Sequence, residues 1–249
     1  MRYEYMFPEQ IKEAVKKNIP VVLPVGVIEY HSEHLCLGVD TLLVLKALEE
    51  IEKEIEIIVL PPFFYGCASY AVESPEEKGT IHIKPEVIYN FAKNLFENLL
   101  RIGFRNIYVI IHHQTENFVS GMPTDLSFKL AAREVIFEFL ERKYGEGWWG
   151  KEESKNYYNQ HKKGIDPFSW IKILPFMDKE TQKKYPIDHA GKQETSLMMT
   201  FCPEGVDMKR FKEEKWYSRE AKKASKDYGE KAKKEIVEKL KKLLRRENV

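Results

Sequence analysis

Short apolar runs rich in β-branched residues alternate along the chain with longer stretches whose apolar residues recur at helical spacing. The short runs predict buried strands at residues 21–27, 57–60 and 106–111. The longer stretches predict amphipathic helices at residues 41–54, 85–101 and 126–143. Strands that alternate with helices of this length indicate an α/β fold, with a mainly parallel sheet flanked by helices in three layers.

The size and charge of the chain limit its organisation and its partners. At 249 residues, an α/β chain commonly stays undivided, so we expect residues 1–249 to form a single domain. Its 40 basic and 39 acidic side chains give a net charge of +1, which provides no overall field to attract nucleic acid or an anionic membrane. No stretch approaches the roughly 20 apolar residues that span a bilayer, and the charged start is unlike a signal peptide. These properties predict a cytoplasmic protein whose partner is a small molecule.

Two parts of the chain break the alternation of strands and helices. Residues 144–185 are rich in Gly, Pro and aromatic residues, which predicts an elaborated loop region. It is either a surface insertion that packs on the domain, or a lid or oligomer contact that shields a substrate. Residues 218–246 have the pattern of a long helix rich in Lys and Glu, with one apolar stripe.

Polar residues follow the first predicted strand, where an open parallel sheet places its binding crevice. They include Glu29, His31 and Asp40. Carboxylate and imidazole side chains are suitable ligands for zinc, manganese or iron, and a carboxylate can bridge two ions. A purely structural interpretation is also open, since Asp40 could cap the following helix and His31 could lie on the surface.

Two further polar clusters strengthen the interpretation as a metal site. Residues 112–117 follow the third strand, and Gln114 and Glu116 would point the same way if the chain stays extended there. Residues 188–196 form the other cluster, which could also be a simple helix start. Because the first two clusters lie at the same edge of the predicted sheet, we expect their side chains to converge.

Separated segments resemble motifs of the creatininase family, the creatinine amidohydrolases, over most of the chain. Residues 23–41 are similar to the first family motif, with Glu29, His31 and Asp40 at the family spacing. Residues 189–191 and 194–196 resemble the later His-Ala-Gly and Glu-Thr-Ser pattern. The resemblance implies a creatininase-like fold and a binuclear metal centre, with Asp40 as the bridging ligand.

The resemblance also implies a ligand set for each ion. One ion would be held by Glu29, Asp40 and the residue at 114, the other by His31, Asp40 and Glu116. This chain has Gln114 where the family has His, and an amide oxygen binds transition ions more weakly than imidazole. The first half of the centre should therefore be weakened unless His113 or His112 replaces the missing ligand. We expect one or two divalent ions per chain, of zinc, manganese or iron.

A catalytic mechanism and a substrate class follow from the same resemblance. A metal-activated water would attack the substrate, His189 would pass a proton to the leaving group, and Asp188 would orient His189 or touch the substrate. Glu116 would belong to the same machinery, while Tyr30, Ser69 and Thr115 would contact the substrate.

The expected reaction is hydrolysis of a small cyclic or amide-bearing metabolite, for example a keto-inositol or a sugar derivative. The bond would be an amide C–N bond or a C–C bond of a cyclic ketone. The resemblance further implies a homo-oligomer, for example a hexamer. The alternative is a non-catalytic binding member of the family with a degenerate metal centre.

Overall fold

Four parallel strands form the central sheet of the computed structural model, which describes residues 1–245. They are β1 (Val21–Val25), β2 (Ile58–Val59), β3 (Ile107–Ile111) and β4 (Ile171–Pro175). Their order across the sheet is β2-β1-β3-β4, and each neighbouring pair is parallel. Because all strands run the same way, their carboxyl ends meet at one edge of the sheet.

Helices cover both faces of this sheet. In chain order they are α1 (Pro8–Lys16), α2 (Val39–Ile51), α3 (Pro85–Ile102), α4 (Pro123–Tyr144), α5 (Tyr157–Lys163), α6 (Lys179–Lys184), α7 (Lys192–Phe201) and α8 (Lys226–Arg245). Alternate side chains of β1 point to opposite faces, so Leu23 packs in a core with α1, α3 and α4, and Val22 in a core with α2, α7 and α8. The predicted three-layer α/β fold is confirmed. Within residues 1–245, no helix combines the length and the apolar character needed to cross a membrane.

The structure corrects the interpretation of residues 144–185 as loop. Strand β4 lies in this region together with α5 and α6. Of the strand residues only Ile171 is fully buried, because β4 is at the edge of the sheet and lacks the continuous apolar run of a central strand. Helix α8 begins at Lys226, after a short 3-10 helix at Arg219–Lys223, and the predicted end at position 246 lies outside the described residues.

A glycine after β1 allows the first turn of α2 to approach the sheet edge. A Cβ atom on Gly26 would lie 2.6 Å from the Cβ of Asp40 and 2.4 Å from the backbone nitrogen of Thr41. Any side chain at this position would therefore push α2 away from β1. The close approach places Asp40 beside the carboxyl ends of β1 and β3.

Candidate metal centre

Five buried polar side chains converge at the carboxyl ends of β1 and β3. Glu29 and His31 lie in the loop after β1, and Asp40 in the first turn of α2. His113 lies two residues after β3, and Glu194 in the first turn of α7. Each of the five residues is at most 7% exposed. Two of the three carboxylates thus sit at helix amino termini, where the helix dipole favours negative charge.

The five side chains form two overlapping groups that share Asp40. Glu29, Asp40 and His113 make one group, and His31, Asp40 and Glu194 make the other. Within each group, one potential ligand atom per residue lies within 4.8 Å of the others. Asp40 directs Oδ2 to His113 Nδ1, at 3.1 Å, and Oδ1 to His31 Nε2, at 3.4 Å. One carboxylate that presents an oxygen to each group is the arrangement expected of a ligand that bridges two cations.

Backbone contacts prepare both histidines to act as ligands. His31 donates from Nδ1 to the carbonyl of Glu29, at 2.9 Å, and His113 donates from Nε2 to the carbonyl of Cys67, at 3.1 Å. The opposite ring nitrogens, His31 Nε2 and His113 Nδ1, face the carboxylate of Asp40. His31 Nε2 is buried and has no hydrogen-bond partner. Metal-binding histidines typically use one nitrogen for such an orienting hydrogen bond, so these residues fit divalent cations.

Burial and neighbouring charges shift the pKa values of the clustered groups in different directions. Burial raises the pKa of Glu29 to about 7. For Asp40 burial acts in the same direction, but the His31 and His113 charges outweigh it and hold the pKa of Asp40 well below its usual range. Burial would lower the pKa of His31, yet Asp40 and Glu194 raise it to about 10. Protonated histidines or a bound cation can supply the balancing charge.

His189 lies beside the two groups in a fixed orientation, and it forms a third, less buried group of potential ligands with Glu29 and His31. Its Nε2 donates to the carbonyl of Tyr30, at 2.9 Å, and its ring stacks on His31 with 4.3 Å between ring centroids. The other nitrogen, Nδ1, lies 4.0 Å from Glu29 Oε2. Burial and the charge of His31 lower the pKa of His189, which favours the neutral form of its ring. His189 can therefore accept a proton at Nδ1.

Asp188 supports the start of α7 from its position in the cavity wall. Its carboxylate accepts backbone hydrogen bonds from Gly191, Gln193 and Glu194, at 3.2, 2.7 and 3.1 Å. Burial, followed by the charge of Glu194, raises the pKa of Asp188 to about 6. These bonds fix the turn that carries Glu194.

Gln114 and Glu116, to which the resemblance assigns ligand roles, belong to neither group. The chain leaves the extended conformation after β3, and Gln114 adopts the left-handed region at φ 50°. Glu116 is exposed in a 3-10 helix at Thr115–Asn117. Both side chains line the cavity instead.

The three predicted substrate contacts occupy different places. Thr115 is buried in the cavity lining, and its Oγ1 has no hydrogen-bond partner. The hydroxyl of Tyr30 donates to Glu33, at 2.7 Å, and its side chain is not part of the cavity lining. Ser69 is exposed outside the lining, and its Oγ accepts from the backbone of Ala71.

The sequence left His113 open as an alternative to Gln114, and it did not single out Glu194 as a ligand. His113 lies two residues after Ile111, the last residue of β3, so an extended chain would direct both side chains to the same face of the sheet. The signal for Glu194 was its place in a first helical turn near His189. His112 is also buried, with Nε2 at 3.4 Å from Glu194 Oε1 and no hydrogen-bond partner at either ring nitrogen.

A cavity of about 600 Å³ is lined by four of the five side chains, those of Glu29, Asp40, His113 and Glu194. Besides the residues described so far, its lining includes Ala71, Val72, Ile187, Trp216 and Tyr217. The volume is sufficient for a small metabolite.

The sequence of the chain is similar to those of creatinine amidohydrolases and of an inosose hydrolase. The family model described as creatinine amidohydrolase matches residues 4–241. Creatinine amidohydrolase of Pseudomonas putida is 25% identical over 192 residues, which cover 76% of this chain and 67% of that protein. The 3-dehydro-scyllo-inosose hydrolase of Thermotoga maritima is 27% identical over 115 residues, or 46% of this chain and 36% of that protein.

Two solved structures show the same fold. A manganese form of creatininase superposes with a TM-score of 0.71 at 22% identity and covers 99% of this chain and 98% of its own. A zinc–zinc form of a creatininase mutant superposes with a TM-score of 0.72 at 20% identity, with coverage of 99% and 97%.

Proposed function

This chain belongs to the creatininase family, and from that premise we propose that it is a metal-dependent hydrolase of a small cyclic compound with a carbonyl group. The single observation that carries the proposal is the pair of ligand groups that share Asp40. Carboxylates and histidines buried together in this way are rarely needed for stability alone, because each buried charge costs free energy.

We propose that the centre binds two divalent ions. Glu29, Asp40 and His113 would hold one ion, and His31, Asp40 and Glu194 the other. Two solved relatives, described as manganese and zinc forms, support manganese or zinc as the metal, and the ligand set also suits iron. When bound, such ions polarise a carbonyl group and make a water nucleophilic near neutral pH.

The remaining polar groups of the cavity provide proton transfer and orientation. His189 would accept a proton at Nδ1 from the attacking water and pass it to the leaving atom, while the Tyr30 carbonyl accepts from Nε2 and holds the ring in this tautomer. The free Oγ1 of Thr115 offers a hydrogen bond to a substrate in the cavity. Glu116 is an exposed member of the lining and belongs to neither ligand group, which supports a substrate contact as its role.

Two substrate classes fit this chemistry. A cyclic amide would be opened at its C–N bond, as the name of the Pseudomonas putida relative indicates for creatinine. A keto-inositol with a second carbonyl group would be opened at a C–C bond beside one carbonyl, while the other accepts the released electron pair as an enolate; the inosose hydrolase relative suggests this class. Both are rings with a carbonyl group that a metal ion can polarise.

Turnover of creatinine, related cyclic amides and 3-dehydro-scyllo-inosose tests the proposal. Activity on at least one compound should disappear on chelation and return with Mn²⁺ or Zn²⁺. Changing His189→Ala should lower kcat by about 10²- to 10⁴-fold, the usual contribution of proton transfer, with metal content unchanged. The exposed His161 gives a matched control, since His161→Ala should leave the rate unchanged. Full metal loading without turnover of any compound would favour a binding protein, and a wild-type rate in His189→Ala would remove its role.

A further inference from the structure

Part of the cavity wall is aromatic. Trp216 and Tyr217 lie in the segment between the 3-10 helices Met208–Arg210 and Arg219–Lys223, and both line the cavity. Neither residue belongs to the ligand groups or to the proton-transfer residues described above. We propose that these two residues, acting with the acidic lining, select uncharged or cationic substrates with a ring face; this inference rests on the proposed function.

A column of rings connects the metal centre to this wall. The His189 ring stacks on His31, and the Tyr217 ring meets His189 edge to face with 5.3 Å between ring centroids. Trp216 continues the column, with its ring centroid 5.9 Å from that of Tyr217. A substrate within reach of His189 would therefore lie next to the aromatic wall.

Trp216 is unusually exposed for its size. It is 80% exposed, and it is next to a pocket rather than in a core. Large aromatic side chains gain free energy when they cover apolar surface, and a flat ring face is a suitable partner. An exposed Trp at the mouth of a cavity is thus free to cover a ring-shaped ligand.

Neighbouring contacts keep this segment against the cavity. Lys215 forms an ion pair with Glu73, the residue after the cavity-lining Val72. Ser218 is buried and donates its backbone N–H to the carbonyl of Lys215, at 3.2 Å. These contacts position the aromatic wall before any substrate arrives.

The charge of the cavity lining adds a requirement on the charge of the substrate, besides the ring face. The cavity is lined by five carboxylates, those of Glu29, Asp40, Glu116, Asp188 and Glu194. No Lys or Arg among residues 1–245 contributes to its lining. With two divalent ions bound, the five carboxylates would still leave one net negative charge in the lining. Because the lining contains no Lys or Arg among these residues, a substrate carboxylate or phosphate would have no cationic side chain to pair with. A neutral or cationic ring is therefore favoured over an anionic one.

Binding of two ring amides to the metal-loaded protein tests the inference by saturation-transfer NMR. The probes are creatinine, which is uncharged, and dihydroorotate, which carries a carboxylate. Creatinine should bind at least about tenfold more tightly than dihydroorotate. Changing Trp216→Ala should weaken creatinine binding by about tenfold, as expected for loss of an aromatic contact. Because Trp216 is mostly exposed, this variant should keep its fold and its metal content.

Trp149→Ala is the matched control, since Trp149 is 49% exposed and does not line the cavity. It should bind creatinine as the wild type does. Equal or tighter binding of dihydroorotate, unchanged creatinine binding in Trp216→Ala, or no creatinine binding at all would each overturn the inference. Those outcomes would not refute the proposed function, because turnover and metal content test it separately.

Discussion

Replacing Asp40 with alanine should release most of the bound metal and abolish turnover. Asp40 offers one oxygen to His31 and the other to His113, so its removal takes a ligand from both groups at once. Loss of a residue that only orients a ligand typically lowers metal affinity 10- to 100-fold, so loss of a shared ligand should cost more than about 100-fold. Elemental analysis and a competition assay with a chromophoric chelator would measure the effect.

A buried aspartate elsewhere in the chain controls for damage to the fold. Asp166 is 1% exposed and caps a 3-10 helix before β4, at the opposite edge of the sheet. Asp166→Asn should lower thermal stability but keep the metal content per folded chain. The milder Asp40→Asn keeps the shape of the side chain and should still lose metal. Metal content near the wild-type value in both Asp40 variants would refute the shared-ligand assignment.

Replacing His113 with alanine should remove one of the two ions, because this residue is the only histidine of the group with Glu29 and Asp40. Gln114→Ala should leave metal content nearly unchanged, since Gln114 lines the cavity outside both groups. The two neighbouring positions thus form a matched pair. Elemental analysis should give about one ion per chain for His113→Ala, and turnover should fall by at least about 100-fold.

The contrary pattern would be equally informative. Loss of metal in Gln114→Ala with retention in His113→Ala would restore position 114 as the ligand that the family resemblance implies. Melting temperatures in the presence of chelator separate ligand loss from misfolding, because His113 also donates to the carbonyl of Cys67. A variant that melts normally without metal but binds less of it has lost a ligand.

Much of the fold could be predicted because the central strands carry a strong local signal. β1 and β3 are buried on both faces, so their sequences are continuous apolar runs. β4 escaped prediction since it is an edge strand with half-buried residues and lies among aromatic loops. The pairing of distant strands depends on tertiary contacts that no local pattern reports.

The site was predictable in part for a similar reason. Glu29, His31 and Asp40 are close in the chain and follow one strand, and the structure brings them together. The third-strand residues were harder to assign, because alternation of side chains holds only while the chain stays extended. The left-handed turn at Gln114 ends that alternation, and it leaves His113 rather than Gln114 beside Asp40.

Glu194 shows a second limit of sequence reasoning. Its position in the first turn of α7 suggests a supporting role, and only the packing of α7 against α2 places it near His31. The Asp188 carboxylate holds this turn because it accepts backbone hydrogen bonds from residues three to six positions later in the chain. The approach of the Glu194 carboxylate to His31 therefore depends on the packing of two helices, which a local motif does not encode.

The most direct test of the two-ion centre is the metal content of the wild-type protein, purified without a His tag and resupplied with Mn²⁺ or Zn²⁺. Inductively coupled plasma mass spectrometry should give about two ions per chain, as two ligand groups that share one carboxylate require. About one ion, or none, after resupply would contradict the assignment of Asp40 as the ligand common to two bound metals.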